Sequence, residues 1–170
     1  MNRRFALAPM SGLIRGLTWL LVPLPAVFLA GSTLGGARVE TILFAVGGGL
    51  ALLWLAVWTF FRPSGFTVGE SGLTIEFPGR TLRVPRAEIA SAAVMNVAEL
   101  YPRYGVAARV GVGGLWGGFG WLWSTQRGWV DLYVTRTDRW VLVERKNGKD
   151  LLLNPDGADA FVAAVLEEAR

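Results

Sequence analysis

Two long stretches of this chain carry no charged residue: Gly16 to Ala37 and Thr41 to Phe61. As α-helices each would be roughly 30 Å long at ~1.5 Å per residue, which matches the hydrocarbon core of a bilayer. A backbone in hydrocarbon has to satisfy its own polar groups, so helices are the economical solution. The reading is two transmembrane helices, about residues 16–34 and 41–61. A short link around Ser32 to Glu40 joins them into an antiparallel hairpin within residues 1–62. The alternative for the first stretch is a cleaved signal peptide, with Arg3 and Arg4 as its basic start and Ala30-Gly31-Ser32 after its core. The late start of the apolar run, Arg15 at its threshold and the second apolar run directly behind it favour the hairpin. Pro23 and Pro25 predict a kink or partial break, which helices in a bilayer tolerate when neighbours repair the backbone.

The distribution of Lys and Arg sets the orientation. Arg3, Arg4 and Arg15 precede the first helix, Arg62 closes the second, and Arg80, Arg83 and Arg86 follow soon after; the link carries only Arg38, beside Glu40. Both termini are therefore expected on the cytoplasmic side. Trp54, Trp58, Phe60 and Phe61 crowd the exit of the second helix as an aromatic belt would. Gly47, Gly48 and Gly49 allow close helix approach. Ala45 and Gly49 have the small-xxx-small spacing of a dimerisation signal, read here as packing of the second helix on the first.

After the hairpin about a hundred residues remain, enough for one compact domain. The chain has no cysteine and no histidine, which excludes a disulfide scaffold and thiolate metal sites and removes the commonest general base near neutral pH. No cofactor is expected. The net charge of +4 includes the three N-terminal arginines, so the domain is nearly balanced and a nucleic-acid footprint is not supported.

The domain reads as mostly β. Leu73-Thr74-Ile75-Glu76-Phe77 alternates apolar and polar residues between turns at Gly69–Gly72 and Pro78-Gly79. Leu82 and Val84 alternate again, and Ile89 to Val97, Trp129 to Thr135 and Trp140 to Glu144 are further strand candidates. Asn147-Gly148 is a strong hairpin signal, with Leu151 to Leu153 returning. The last segment changes period: Ala158, Phe161, Val162, Val165, Leu166 and Ala169 fall on one helical face, with Asp159 able to cap. A small barrel or sandwich covered by one helix solves the burial problem.

Two segments carry a resemblance: FTVGESGLTIEFPGRTLRVPRAEIASAAV (Phe66 to Val94) and VLVERKNGKDLLLNPDGADAFVAAVLEE (Val141 to Glu168). They resemble the opening hairpins and the closing hairpin and helix of the bacterial pleckstrin-homology-like (PH) domains. The resemblance implies a PH-like small barrel over residues 64–170, closed by a C-terminal helix at 156–169, beside membrane helices. Together with the anchor it implies a multi-pass protein of the bacterial inner (cytoplasmic) membrane.

The stretch from Gly111 to Trp123 is the oddest in the chain. It has no charge and is bracketed by Arg103, Arg109 and Arg127. One reading is an interfacial loop, with Leu115, Trp116, Phe119, Trp121 and Trp123 at headgroup level and the three arginines on lipid phosphates. A second is a glycine-bent strand pair whose aromatics, Phe119 and Trp129 first among them, fill the core. A third is a docking patch for a partner protein. The glycines lack the Gly-Lys-Ser/Thr signature of a phosphate loop. Arg80, Arg83 and Arg86 read as a solvated strand face, Arg145, Lys146 and Lys149 as solubilising turn residues, and Asp131 as a carboxylate without an identifiable partner.

These features favour a non-enzymatic, membrane-anchored module that binds a protein partner or anionic lipid headgroups at the cytoplasmic face. An accessory subunit of a transporter or signalling complex, recognised through its helices, is the alternative. An enzyme of lipid or envelope substrates is a further one, but no carboxylate pair has diagnostic spacing and Ser/Thr nucleophiles would lack a histidine base.

Overall fold

The computed structural model describes residues 2–167. Its first strand, β1 (Arg3–Ala6), precedes the apolar hairpin. The first apolar stretch forms two helices, α1 (Gly12–Leu21) and α2 (Leu24–Ser32), and the second forms α3 (Ala37–Ala56) with a π-helical turn at Val57–Phe61. The break at Val22-Pro23 has a simple cause. Pro23 and Pro25 have no N–H, so the carbonyls of Trp19 and Leu21 lose their helical donors. Helices α2 and α3 pack side by side, and Gly47 permits the approach: a Cβ there would lie 2.8 Å from Leu29 Cγ and 3.0 Å from the Pro25 carbonyl oxygen. Gly48 and Gly49 have open space around them. Gly12–Ser32 and Ala37–Phe61 are each long and apolar enough to cross a membrane, and most of their large side chains, including Leu13, Trp19, Leu20, Ile42, Phe44 and Leu52, are exposed.

The β domain contains strands β2 (Gly65–Gly69), β3 (Gly72–Glu76), β4 (Thr81–Pro85), β5 (Ile89–Met95), β6 (Ala107–Gly113), β7 (Gly118–Ser124), β8 (Gly128–Val134), β9 (Trp140–Arg145) and β10 (Asp150–Leu153). Helix α4 (Val97–Tyr104) follows β5, and α5 (Ala158–Glu167) ends the described chain. Residues 168 and 169 of the expected C-terminal helix lie outside the described residues. The expected barrel is not closed. The strands form a four-stranded sheet, β1-β2-β3-β4, and a six-stranded sheet, β5-β9-β10-β8-β7-β6. The chain leaves β4 through a 3-10 turn (Arg86–Glu88) and enters β5 in the other sheet, so β4 and β5 do not pair. Helix α5 packs against β5, β2 and β9, and Phe161 lies edge-on to both Phe5 of β1 (5.2 Å) and Phe66 of β2 (5.9 Å). Full burial of one such aromatic contributes about 1.5–3 kcal/mol.

The six-stranded sheet buries both faces. One face, carrying Phe119, Tyr133, Val141, Val143, Leu151 and Leu153, packs with the four-stranded sheet and α5. The other, carrying Met95, Leu122, Val130, Leu132, Leu142 and Leu152, includes Tyr104 of α4 in its cluster. Because alternate residues serve different cores, β10 reads as a continuous apolar run. It lies between β9 (antiparallel) and β8 (parallel). Asn154 locks this corner. Its Oδ1 accepts the N–H groups of Thr135 and Arg136 (3.1 Å each), and its Nδ2 donates to the carbonyls of Asp138 (3.3 Å) and Arg139 (3.0 Å). The N-terminal segment is tied to the same corner: Ala8 N–H donates to the Asn154 carbonyl (2.9 Å), and the Thr135 hydroxyl donates to the Ala8 carbonyl (2.8 Å).

Candidate functional site

The Gly–Trp stretch forms a β-hairpin, β6 and β7, with its turn at Gly114–Gly117. Opposed residues share a face in an antiparallel pair, and the register sorts this hairpin into two unlike sides. On one side stand Gly111, Gly113, Gly118 and Gly120, with Arg109 opposite Leu122. This glycine lane is filled by Arg109: a Cβ on Gly118 would lie 3.0 Å from Arg109 Nη1, and one on Gly113 would collide with Nη2. Gly111 and Gly120 face one another at positive φ (141° and 127°), and a Cβ on either would lie within 2.5 Å of a carbonyl oxygen on the opposite strand. No other residue type fits that pair without moving a strand.

On the other side stand Val110, Val112, Phe119, Trp121 and Trp123, and β8 continues the face with Trp129 opposite Trp123 and Asp131 opposite Trp121. Near the turn this face is core: Phe119 and Leu115 are fully buried. Farther from the turn the four-stranded sheet no longer covers it, and Val110, Trp121, Trp123 and Trp129 are 37–47 % exposed. Trp129, one of the aromatics the core reading favoured, is thus a surface residue, while Phe119 is core.

The turn itself docks on the foot of the apolar hairpin. The buried Thr18 hydroxyl of α1 accepts the Trp116 N–H (2.8 Å) and shares its own proton between the carbonyls of Ile14 (2.8 Å) and Gly114 (2.9 Å). Trp116, at φ 58°, packs edge-on against Trp58 with ring centroids 5.0 Å apart. Trp121 meets Phe61 in the same way at 6.4 Å. The aromatic face therefore begins where the second apolar helix ends.

A 130 Å³ cleft opens beside it, lined by Phe61, Arg80, Leu82, Trp121, Asp131, Tyr133 and Lys149 among others. Arg80 Nε donates to the Phe60 carbonyl (2.7 Å), and its Nη2 donates to the Tyr133 hydroxyl (3.2 Å). Lys149 Nζ lies 3.7 Å from Asp131 Oδ1 and 5.5 Å from the Trp121 ring centre. Asp131 thus has a partner that sequence separation concealed, because β8 and β10 are neighbours. Burial pushes its carboxyl above the usual range, and Lys149 opposes that shift. Arg80 and Lys149 belong to this cleft rather than to a merely solvated surface. Arg145 folds back onto Glu88, and Arg86 donates to the Val165 carbonyl.

The structure does not bring Arg103, Arg109 and Arg127 to the tryptophans. Arg109 lies in the glycine lane on the opposite face. Arg127 pairs there with Glu144 (2.5 Å) and Asp150 (3.5 Å) and lies 5.7 Å over the Tyr104 ring. Arg103 is exposed on α4. Glu144 also accepts the Ser91 hydroxyl (2.6 Å), and that bond, with Arg127, holds its carboxyl below the ordinary value. Thr18 contributes to the site without having been singled out in the sequence, and Phe61, Arg80 and Lys149, which the sequence reads as an aromatic belt, a solvated strand face and a turn residue, join it. A single hydroxyl within an apolar helix is the available signal for Thr18.

Among the described residues no group of three or more Asp, Glu, His or Cys could hold a metal ion. The arrangement offers an aromatic surface with two cations beside it, which suits binding. In comparisons with known proteins, the model of a family described as "Bacterial PH domain" matches residues 64–169. No curated protein and no solved structure matches the chain.

Proposed function

Because this chain belongs to the bacterial PH domain family, we propose that it is a non-enzymatic binding module anchored in the cytoplasmic membrane by its helical hairpin. The single observation that carries this reading is the continuity between the exposed apolar hairpin and the aromatic face: Phe61, the last residue of the hairpin, packs on Trp121. With the hairpin in a bilayer, Trp121, Trp123 and Trp129 lie at headgroup level, where indole rings are favoured. Arg80 and Lys149 stand beside them as the cations for anionic headgroups. Exposure of most of the hairpin's large side chains supports the membrane reading over a soluble core helix. Pairing of β1 with β2 supports both ends of the hairpin leaving the bilayer on one side, and the Arg distribution makes that side cytoplasmic.

The chain has no cysteine, so Trp123→Cys carries a unique thiol for a fluorophore. In bilayers containing anionic lipid, the full-length labelled chain should be quenched by lipids spin-labelled at the headgroup. Quenching only by water-soluble agents would remove the lipid-facing reading and leave this face for a protein partner.

A further inference from the structure

A second concavity lies where the docked turn meets α1. It has a volume of 390 Å³ and is lined by Met10, Arg15, Thr18, Trp19, Val22 and Trp116. Its walls are apolar except at Thr18 and Arg15. The Thr18 hydroxyl is already occupied by the backbone of the Gly114–Gly117 turn. Arg15 differs from four arginines of the domain. Arg127, Arg136, Arg139 and Arg145 each hold a carboxylate, whereas Arg15 has no ion pair or side-chain hydrogen bond among the described residues. The groove follows α1, so its polarity changes along one direction. From Arg15 to Val22 the helix rises about 10 Å at ~1.5 Å per residue, from the cation at the domain end to Val22, where the helix breaks. That rise is comparable to the depth between the headgroup layer and the upper hydrocarbon of one leaflet.

We propose that this groove holds one phospholipid, its phosphate on Arg15 and an acyl chain along Trp19, Val22 and Trp116. Guanidinium suits a phosphate diester because it offers parallel N–H donors and remains charged at every relevant pH. The apolar walls suit the chain, and the match of cation to headgroup end and apolar walls to hydrocarbon end selects a lipid over a peptide. The bound lipid would brace α1 against the Gly–Trp turn. The proposal rests on the hairpin being embedded in membrane but not on what the Trp121–Trp129 face binds.

The test is native mass spectrometry of the full chain, extracted from membranes in mild detergent and washed in delipidating detergent. Wild type should retain one phospholipid. Arg15→Gln should retain it roughly tenfold less well, and Val22→Trp, which fills the groove, should lack it while its circular dichroism and unfolding midpoint stay near wild type. Excess inorganic phosphate should not release the lipid. A wild-type chain that carries none, wild-type retention in both variants, or release by phosphate alone would each overturn the proposal. Alkaline carbonate extraction separates the two readings. A chain stripped from the membrane defeats the anchor itself, and one that stays embedded without a retained lipid defeats only the groove.

Discussion

Near its turn the Gly–Trp hairpin buries Leu115 and Phe119 and threads Trp116 between α1 and the end of α3, whereas a few residues away Trp121 and Trp123 stand half in solvent on the same face. Composition does not distinguish the two ends. What separates them is what lies opposite: the four-stranded sheet and the apolar helices cover the turn, whereas beyond the Phe61–Trp121 contact neither covers Trp123. A tryptophan is structural or available according to the reach of its neighbours, and one hairpin can therefore serve as both clamp and contact surface.

The contrast is most easily broken at Phe119. Phe119→Ala should cost ~3–5 kcal/mol, read as a lowered unfolding midpoint of the detergent-solubilised chain; a loss under about 1 kcal/mol would mean the turn end is not core. Thr18→Val should come next. It strands the Trp116 N–H and the Gly114 carbonyl in a buried place, at ~1–3 kcal/mol, and should speed hydrogen exchange at the Trp116 amide while leaving that of β10 unchanged. At the far end the expectation reverses: Trp123→Ala should lower stability by no more than ~1 kcal/mol, yet weaken association of the full chain's domain face with anionic bilayers, read by headgroup-level quenching at a probe elsewhere on that face. Equal destabilisation by Phe119→Ala and Trp123→Ala would erase the distinction. The smallest effect is expected on the opposite face, at Glu144. Its folded carboxyl titrates below the ordinary 4.5 because of Ser91 and Arg127. Its stabilisation is therefore fully present above that pH and lost as pH falls through the folded value. Glu144→Gln should be less stable than wild type by under ~1 kcal/mol at pH 7, and the two unfolding midpoints should converge in acid.

Part of this architecture can be read from local pattern alone. The apolar hairpin, the Leu73–Phe77 alternation, the Asn147-Gly148 turn and the C-terminal amphipathic helix each announce themselves within a dozen residues, because one periodicity or one turn chemistry decides them. Asn147-Gly148 lies in the loop that connects β9 and β10, with Gly148 at φ 93° and Asn147 outside the positive-φ region. What escaped depends on distant partners or on a masked period. The four residues Arg3–Ala6 look like the basic flank of a membrane helix, and only pairing with Gly65–Val68 makes them a strand. In β6 and β7 glycines replace every side chain but Arg109 and Leu122 across much of one face, so the alternation survives only on the aromatic side. Taken as a half-pattern, that parity separates Arg109 from Val110, Trp121 and Trp123. Helix α4 carries Pro102 within its eight residues, and a proline there reads as a stop rather than as helix. The parallel β8–β10 contact, which gives Asp131 its lysine and keeps the sheets from reading as a simple meander, leaves no local trace.

Strand β1 has a consequence for how the molecule is made. Its partner β2 is translated only after both apolar helices, so the edge of the four-stranded sheet is paired only once the whole hairpin has been made. On the proposed membrane anchoring, a chain whose second helix stalled in the opposite leaflet would hold its first strand and its remaining strands on different sides of the barrier, unable to meet. Pairing of Arg3–Ala6 with β2 would then report that the hairpin has come back to the side it left.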